Sequence, residues 1–580
     1  MAKNRVKAVI PRWRYYLVML FLVSLPLTLL AKIAQLQIIP SEERGVEFLQ
    51  SQGDNRSIRT VGIPAYRGLI TDRHGEPLAV STPVTAIVAN PQLIQPEDIG
   101  RLAQAMGTSD AQLEGRLQRY RNKSFMYLAR QLPTDEANRI LDLNIIGVSG
   151  QREYRRFYPA GEVTAQLVGV TNISDHGLEG MELAYDSWLS GEPGSKKVVK
   201  DRAGRIINDI SLIKPAKSGE DLRLSIDLRV QYAAYRALKK AVLKHRAKSG
   251  SVVVLDIKTG EVLAMANQPS FNPNDRSRLR QDAVRNRALT DLMEPGSTVK
   301  PFTILAALES GLFELDSVIE TSPGYLKVDY KTFVDPVDYG QLNLAGVLKK
   351  SSQVGTTKLA LAMDPEFTRD LFKRVGFGEV VGSGFPGETM GRLPAYQKWD
   401  PVTQATFAFG YGLNVSPLQL ARAYMVLANN GMRKEVSLVA LESSPAGEQV
   451  VDSQVSKLVR EMLRDASGLR GTGAKAMIDG YSVGGKTGTL HKVRAGGGYD
   501  ENRYMSAFAG LSPLDNPRLV TVVVIDEPSQ GDYFGGLVAA PVFSEVTGNA
   551  LRLLQVTPDD IGQNQNLVSA PRLNAERGDS

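Results

Sequence analysis

The 580-residue sequence contains no cysteine, which excludes disulfide staples, thiol catalysis and cysteine-ligated metals. No low-complexity block interrupts it. At 43% hydrophobic and 23% charged residues it carries enough apolar material to bury a core. Acids are missing from the first stretch, which holds Lys3, Arg5, Lys7, Arg12 and Arg14. Much of the net charge of +7 sits in that cluster, so the remaining body is mildly basic and gives little ground for a nucleic-acid partner. The length calls for two or three domains.

Directly after those charges comes YYLVMLFLVSLPLTLLA, Tyr15 to Ala31, with no charged residue. That is near the minimum for crossing a bilayer, and Lys32 can snorkel while Ile33 to Ile39 extend the segment. Membrane helices tolerate a proline such as Pro26. A cleaved secretion signal is the competing reading. The apolar stretch exceeds the usual length for one, and no A-x-A site follows. Basic residues ahead of the segment place the N-terminus in the cytoplasm, with everything beyond residue 40 exported. At the far end, the polar, aperiodic residues 556–580 are expected to form a disordered tail.

Between the ends, residues 40–217 mix short strand-like runs and loops without a clustered nucleophile and base. Two dense patterns stand out there. RGLITDRHGEPLAVS, Arg67 to Ser81, suits a hairpin about His74-Gly75, and Arg155 to Gly194 contains FYPAGEVTAQLVGV and GLEGMELAYDSWLSG. From Ser218 the texture changes. A strand leads into an amphipathic helix whose stripe is Val230, Ala233, Ala234, Leu238, Val242 and Leu243. SVVVLDIKTGEVLAMAN follows as a hairpin turning at Lys258-Thr259-Gly260. Strands return at Tyr481–Thr489, Met505–Leu511 and Leu519–Asp526, and a helix near Pro541–Leu554 closes the domain. Early strands, a helical middle and late strands imply an α+β domain, 218–555, with one antiparallel sheet flanked by helices.

Three short motifs in this domain carry chemistry. In EPGSTVKPF, Glu294 to Phe302, Pro295 and Gly296 can open a helix, with Ile304, Leu305 and Leu308 as its buried stripe. Ser297 and Lys300 then share one face of the first turn. A serine hydroxyl needs an adjacent base, and a desolvated lysine of lowered pKa can serve. KKSSQVG, Lys349 to Gly355, presents Ser351 and Gln353 at a break between helices. GGKTGT, Gly484 to Thr489, sits on a strand, where Lys486, Thr487, Gly488 and Thr489 can bind a carboxylate and aim N–H groups at an oxyanion. Other copies, Ser211 to Lys214, Lys258-Thr259-Gly260 and Ser270 to Asn272, lie in the wrong local structure and read as chance. GYSVGGKT, Gly480 to Thr487, fits the P-loop pattern but lacks the strand before and the helix after it.

The ordered set S-x-x-K, S-x-N-like and K-T-G resembles the penicillin-binding protein and serine β-lactamase superfamily. RGLITDRHGEPLA, FYPAGEVTAQLVG and GLEGMELAYDSWLSG resemble the N-terminal domain of class B penicillin-binding proteins. The single anchor and GYGLNVSPLQLARAY, Gly410 to Tyr424, point to the division-associated FtsI type. The resemblance implies a cytoplasmic tail (1–14), an anchor (15–39), an elongated non-catalytic pedestal or dimerisation domain (40–217) and a periplasmic transpeptidase domain on the inner membrane. It implies D,D-transpeptidation: Ser297 attacks the bond between two terminal D-alanines, Lys300 takes its proton, and Ser351 assists the leaving amine. Lys486, Thr487 and Thr489 hold the D-alanine carboxylate, and the N–H groups of Ser297 and Thr489 form the oxyanion hole. Stem peptides and β-lactams are the implied ligands, with a membrane-embedded glycan polymerase and other division proteins as partners, and no metal or organic cofactor. Tyr411, Tyr504, Tyr533 and Phe534 are candidates for the cleft lining, with core packing the competing assignment. Gln353 departs from the pattern, which has asparagine there, and puts efficiency in question. A related D,D-carboxypeptidase or β-lactamase, and a non-catalytic scaffold supported by Gln353 alone, are the alternatives.

Overall fold

One helix, α1 (Arg12–Gln37), carries the apolar run, with Pro26 inside it and no residue buried. Its 26 residues span about 39 Å, more than the hydrocarbon core of a bilayer. It fits a single-pass membrane anchor. The computed structural model describes residues 11–38, 58–201, 206–277, 279–395, 397, 399–494 and 496–560. Most of the expected cytoplasmic tail and residues 561–580 of the expected disordered tail lie outside the described residues.

The chain forms two compact units that do not follow it in order. The first comprises Met1–Tyr66, Pro83–Arg155 and Gly191–Ser218; the second comprises Arg67–Thr82, Arg156–Ser190 and Gly219–Ser580. Where the sequence suggested one boundary after residue 217, two earlier segments group with the later unit. In the first unit, strands Ile58–Ile63, Gly194–Lys200 and Ile206–Lys214 form an antiparallel sheet. A separate small core gathers Ile87, Leu102, Leu113, Leu117, Leu128 and Ile140.

The second unit explains the two dense N-terminal patterns. Strand Ile70–Thr71 pairs antiparallel with the start of Pro77–Ala89 through a turn at Gly75, as the alternation predicts, and pairs parallel with Leu222–Arg223. Arg67 is buried and joined to Glu182 at 2.8 Å and Asp186 at 2.7 Å, while buried Arg156 meets the other Glu182 oxygen at 2.7 Å. These charges are affordable inside only because each finds a partner. The patterns are thus built around a buried ionic network.

The centre of this unit is a five-stranded antiparallel sheet: β1 (Ser249–Asp256), β2 (Val262–Gln268), β3 (Gly484–Val493), β4 (Tyr499–Ser512) and β5 (Leu519–Asp526), in the order β2-β1-β5-β4-β3. β1 and β5 are buried along their length, Asp526 excepted, and read as largely apolar runs because both faces are covered. Val252, Val254, Val523 and Ile525 pack with α2 (Leu228–Lys244) and the closing helix Ala540–Leu553. Val253, Leu255, Val522 and Val524 face the helical middle of the chain. Val230, Ala234 and Leu238 are buried as expected, but Leu243 is 69% exposed. Five residues beyond Leu238, it is turned away by about 140° at 100° per residue.

Candidate active site

Pro295 leads into a 3-10 turn, Gly296–Val299, which continues as helix α3 (Lys300–Glu309). The first turn is therefore tighter than the α-turn expected, and in a 3-10 turn side chains three apart eclipse, which favours a shared face for Ser297 and Lys300. Gly296 is required at its place: φ is +52°, and a Cβ there would meet Leu490 Cδ2 at 2.4 Å. Ile304 and Leu305 are buried, and Phe302 packs edge-to-face on Phe377 and Tyr424. Tyr424 also donates its hydroxyl to Thr298 O at 2.7 Å, pinning the turn from below. That contact explains GYGLNVSPLQLARAY. Ser416 caps helix Pro417–Ala428 in a capping box with Gln419, which orients Tyr424 toward the nucleophile turn.

Lys300 is buried, 1% exposed, and its Nζ reaches Ser351 O at 2.6 Å, Ser351 Oγ at 3.2 Å and Ser352 O at 3.3 Å. Burial holds its pKa well below the ordinary lysine value, the charge of Lys486 lowers it further, and Asp335 opposes both. A neutral amine has two N–H donors and one lone pair, so Lys300 can keep two of these acceptors and offer the lone pair to a hydroxyl. The Ser297 side chain is half-buried and makes no hydrogen bond among the described residues.

Ser351 lies where the sequence placed it, at the break between α4 (Leu344–Lys350) and α5 (Gln353–Ala362), with φ +55°. Gln353 opens α5 and is exposed. Its backbone N–H donates to Asp335 Oδ1 at 2.5 Å, but its side chain makes no hydrogen bond among the described residues. Two residues here escaped the sequence reading. Ser352 is fully buried, caps α5 through Gly355 N–H and donates to Asp335 Oδ2. A serine directly before a helical run was a legible capping signal. Asp335 arrives from a loop 18 residues upstream, and nothing local marks it.

β3 is an edge strand, paired on one side only with β4 in the register Lys486↔Ala509, Gly488↔Ala507 and Thr489↔Ser506. Its other side faces the Ser297 turn. A Cβ on Gly488 would stand 3.0 Å from Thr298 Cγ2 and 3.3 Å from Pro295 O, so the missing side chain lets strand and turn close together. Lys486 is buried, with Nζ 3.3 Å from Thr487 O and 3.4 Å from Thr487 Oγ1. Burial alone brings its pKa down to about 7. Thr487 Oγ1 donates to Thr472 Oγ1 at 3.0 Å, a partner the sequence did not suggest, and Thr489 Oγ1 accepts from Gly535 N–H at 2.9 Å. The strand runs on to Val493 with no helix behind Thr487, which removes the P-loop reading.

The four aromatic candidates fall into two groups. Tyr504 stacks on Tyr533 at 3.9 Å and Tyr533 on Phe534 at 4.4 Å, with Phe534 exposed and Tyr533 O held by Ser506 Oγ. Tyr411 belongs elsewhere, edge-to-face with Phe409 at 5.7 Å and with Tyr499 at 5.5 Å.

The site therefore unites a hydroxyl on a tight turn, a buried amine of lowered basicity, a second hydroxyl in contact with it, and a second buried lysine beside threonine hydroxyls on an edge strand. Residues 250–548 match the family model described as the penicillin binding protein transpeptidase domain, and residues 62–224 match the penicillin-binding protein dimerisation domain. The chain is 43% identical to the probable peptidoglycan D,D-transpeptidase PbpC of Pseudomonas aeruginosa, covering 95% of this chain and 96% of that one. It is 42% identical to peptidoglycan D,D-transpeptidase FtsI of Escherichia coli K12, covering 94% and 93%. Among solved structures, the transpeptidase domain of Burkholderia pseudomallei penicillin-binding protein 3 aligns with a TM-score of 0.54 at 40% identity, covering 58% of this chain and 97% of that domain. A peptidoglycan synthetase from Bifidobacterium adolescentis aligns with a TM-score of 0.69 at 25% identity, covering 89% and 99%. The order of motifs, the sheet that carries them and these matches agree: the chain belongs to the class B penicillin-binding proteins.

Proposed function

We propose that this chain is a peptidoglycan D,D-transpeptidase that cross-links stem peptides through an acyl-enzyme on Ser297. The observation that carries this reading is the buried Lys300 amine, whose basicity burial and then the charge of Lys486 lower well below that of an ordinary lysine and which already touches Ser351. Ser297 Oγ attacks the carbonyl between the two terminal D-alanines as Lys300 Nζ accepts its proton. The N–H groups of Ser297 and Thr489 receive the oxyanion. Lys486 sets its charge against the terminal carboxylate, with Thr487 and Thr489 supplying hydroxyls. Lys300 returns the proton through Ser351 Oγ to the leaving D-alanine amine. An amine of a neighbouring stem peptide then attacks the ester, loses its proton by the reverse relay and releases Ser297. A β-lactam follows the first half and stalls as the ester.

The setting proposed is septal wall synthesis, with the N-terminus cytoplasmic and the transpeptidase domain periplasmic. The N-terminal unit serves as a pedestal, and a membrane-embedded glycan polymerase and other division proteins are the partners. Family membership and α1 support this setting. Lys300→Ala in the full-length protein tests the chemistry. It is expected to keep its circular dichroism spectrum and to lose acylation by labelled penicillin by about 100-fold or more, as removal of a general base does. Acylation at the wild-type rate would remove Lys300 from the mechanism.

A further inference from the structure

Glu294 stands just ahead of Ser297 and has no part in the chemistry above. Its half-buried carboxylate gathers two donors from separate elements: Gly412 N–H at 2.9 Å and the Tyr499 hydroxyl at 3.0 and 3.3 Å. Gly412 lies on the loop that runs antiparallel to the nucleophile turn, where Met293 and Val415 exchange N–H···O bonds of 2.9 and 2.8 Å. Tyr499 opens β4, the strand that pairs along β3 and so sets where Lys486 to Thr489 stand. The Tyr499 ring meets Tyr411 edge-to-face, Tyr411 meets Phe409, and Lys300 Nζ lies 5.9 Å from the Phe409 ring centre. Among the described residues no lysine or arginine pairs with Glu294. Burial first, and then Glu294, raises the pKa of both phenols, so Tyr499 is a proton donor at neutral pH.

One carboxylate thereby ties together the turn with the nucleophile, the loop beside it and the hairpin that carries the third motif. We infer that Glu294 is a positioning residue for acyl transfer, holding the β3–β4 hairpin against the Ser297 turn so that the nucleophile and the carboxylate-binding strand keep one register. Misplacement by a fraction of an ångström penalises the attack more than the encounter, because the ground-state complex tolerates a loose fit that the transition state does not.

The inference rests on Ser297 being the acylated residue, so the test separates the two. Full-length wild type, Glu294→Ala, Glu294→Gln, Tyr499→Phe and the Glu294→Ala/Tyr499→Phe pair are mixed with penicillin under single-turnover conditions. Pre-acylation affinity and the acylation rate constant are read apart. Loss of one or two such hydrogen bonds is expected to slow the rate constant by about 10- to 100-fold in Glu294→Ala and about 3- to 10-fold in Tyr499→Phe. Affinity should stay within about threefold in both. Glutamine, which keeps an acceptor for Gly412 and a donor toward the Tyr499 oxygen, should restore the rate to within about threefold. The pair should be no slower than Glu294→Ala alone, since both changes break one contact. A Tyr499→Phe rate constant equal to wild type, additive losses in the pair, or a loss confined to affinity would overturn the inference. Should Glu294→Ala fail to fold, the rim substitution Tyr499→Phe decides alone. A wild type that is not acylated would instead refute the reading of the site itself.

Discussion

Gln353 is where this chain departs from its family's pattern, and the structure turns that departure into a measurable quantity. The backbone of Gln353 is fixed, because its N–H is held by Asp335 and it opens α5. Its side chain is exposed and has no hydrogen bond among the described residues. Gln353→Asn therefore moves the amide back by one methylene without disturbing the core. An exposed substitution of this kind changes stability by less than about 0.5 kcal/mol. If the amide binds the substrate backbone, shortening it removes about 0.5 kcal/mol of rotamer ordering and improves a hydrogen bond worth about 1 kcal/mol. The sum, about 1.5 kcal/mol, corresponds to roughly tenfold faster acylation. The assay is the second-order acylation rate by a labelled penicillin in wild type and mutant, with melting temperatures alongside. A mutant that acylates no faster refutes the reasoning and makes Gln353 a tuned part of this cleft.

Further predictions concern the two buried charge systems. Lys486 loses its proton in the free enzyme as pH rises through about 7, because burial lowers its pKa; its attraction for a carboxylate is present below that pH and fades above it. The pH profile of second-order acylation should show an alkaline limb near about 7 that moves to higher pH in Lys486→Arg, whose guanidinium stays charged; an unmoved limb assigns it to another group. Arg67→Ala should destabilise the second unit by about 3–5 kcal/mol, since it leaves Glu182 and Asp186 short of a buried partner. Chemical denaturation that finds a cost below about 1 kcal/mol would mean the network is rehydrated on mutation.

Much of the catalytic unit was legible because its signals are local. The hairpin at Lys258-Thr259-Gly260, the strand Leu519–Asp526 and the break between α4 and α5 follow from alternation, turn residues and helix stops within a few residues. The same holds for Ser297, Lys300, Ser351 and Lys486, whose spacing carries their local structure with it. What was not legible depends on distant chain. Asp335 and Thr472 reach the site from loops that no period marks, and Glu294 shows its reach only once Gly412 and Tyr499 stand beside it. Tyr411 was separated from Tyr504, Tyr533 and Phe534 by the tertiary fold alone. The assignment of Arg67–Thr82 and Arg156–Ser190 to the second unit has the same origin, since the ion pairs that bind these segments join residues more than 100 apart in Arg67–Glu182.

The central claim is that Ser297 is the nucleophile, and one measurement bears on it directly. The full-length protein in detergent is treated with penicillin, digested and analysed by mass spectrometry. The account predicts a single penicilloyl adduct on the peptide containing Ser297, absent in Ser297→Ala. An adduct on Ser351 or on any other residue, or one that persists in Ser297→Ala, would contradict it.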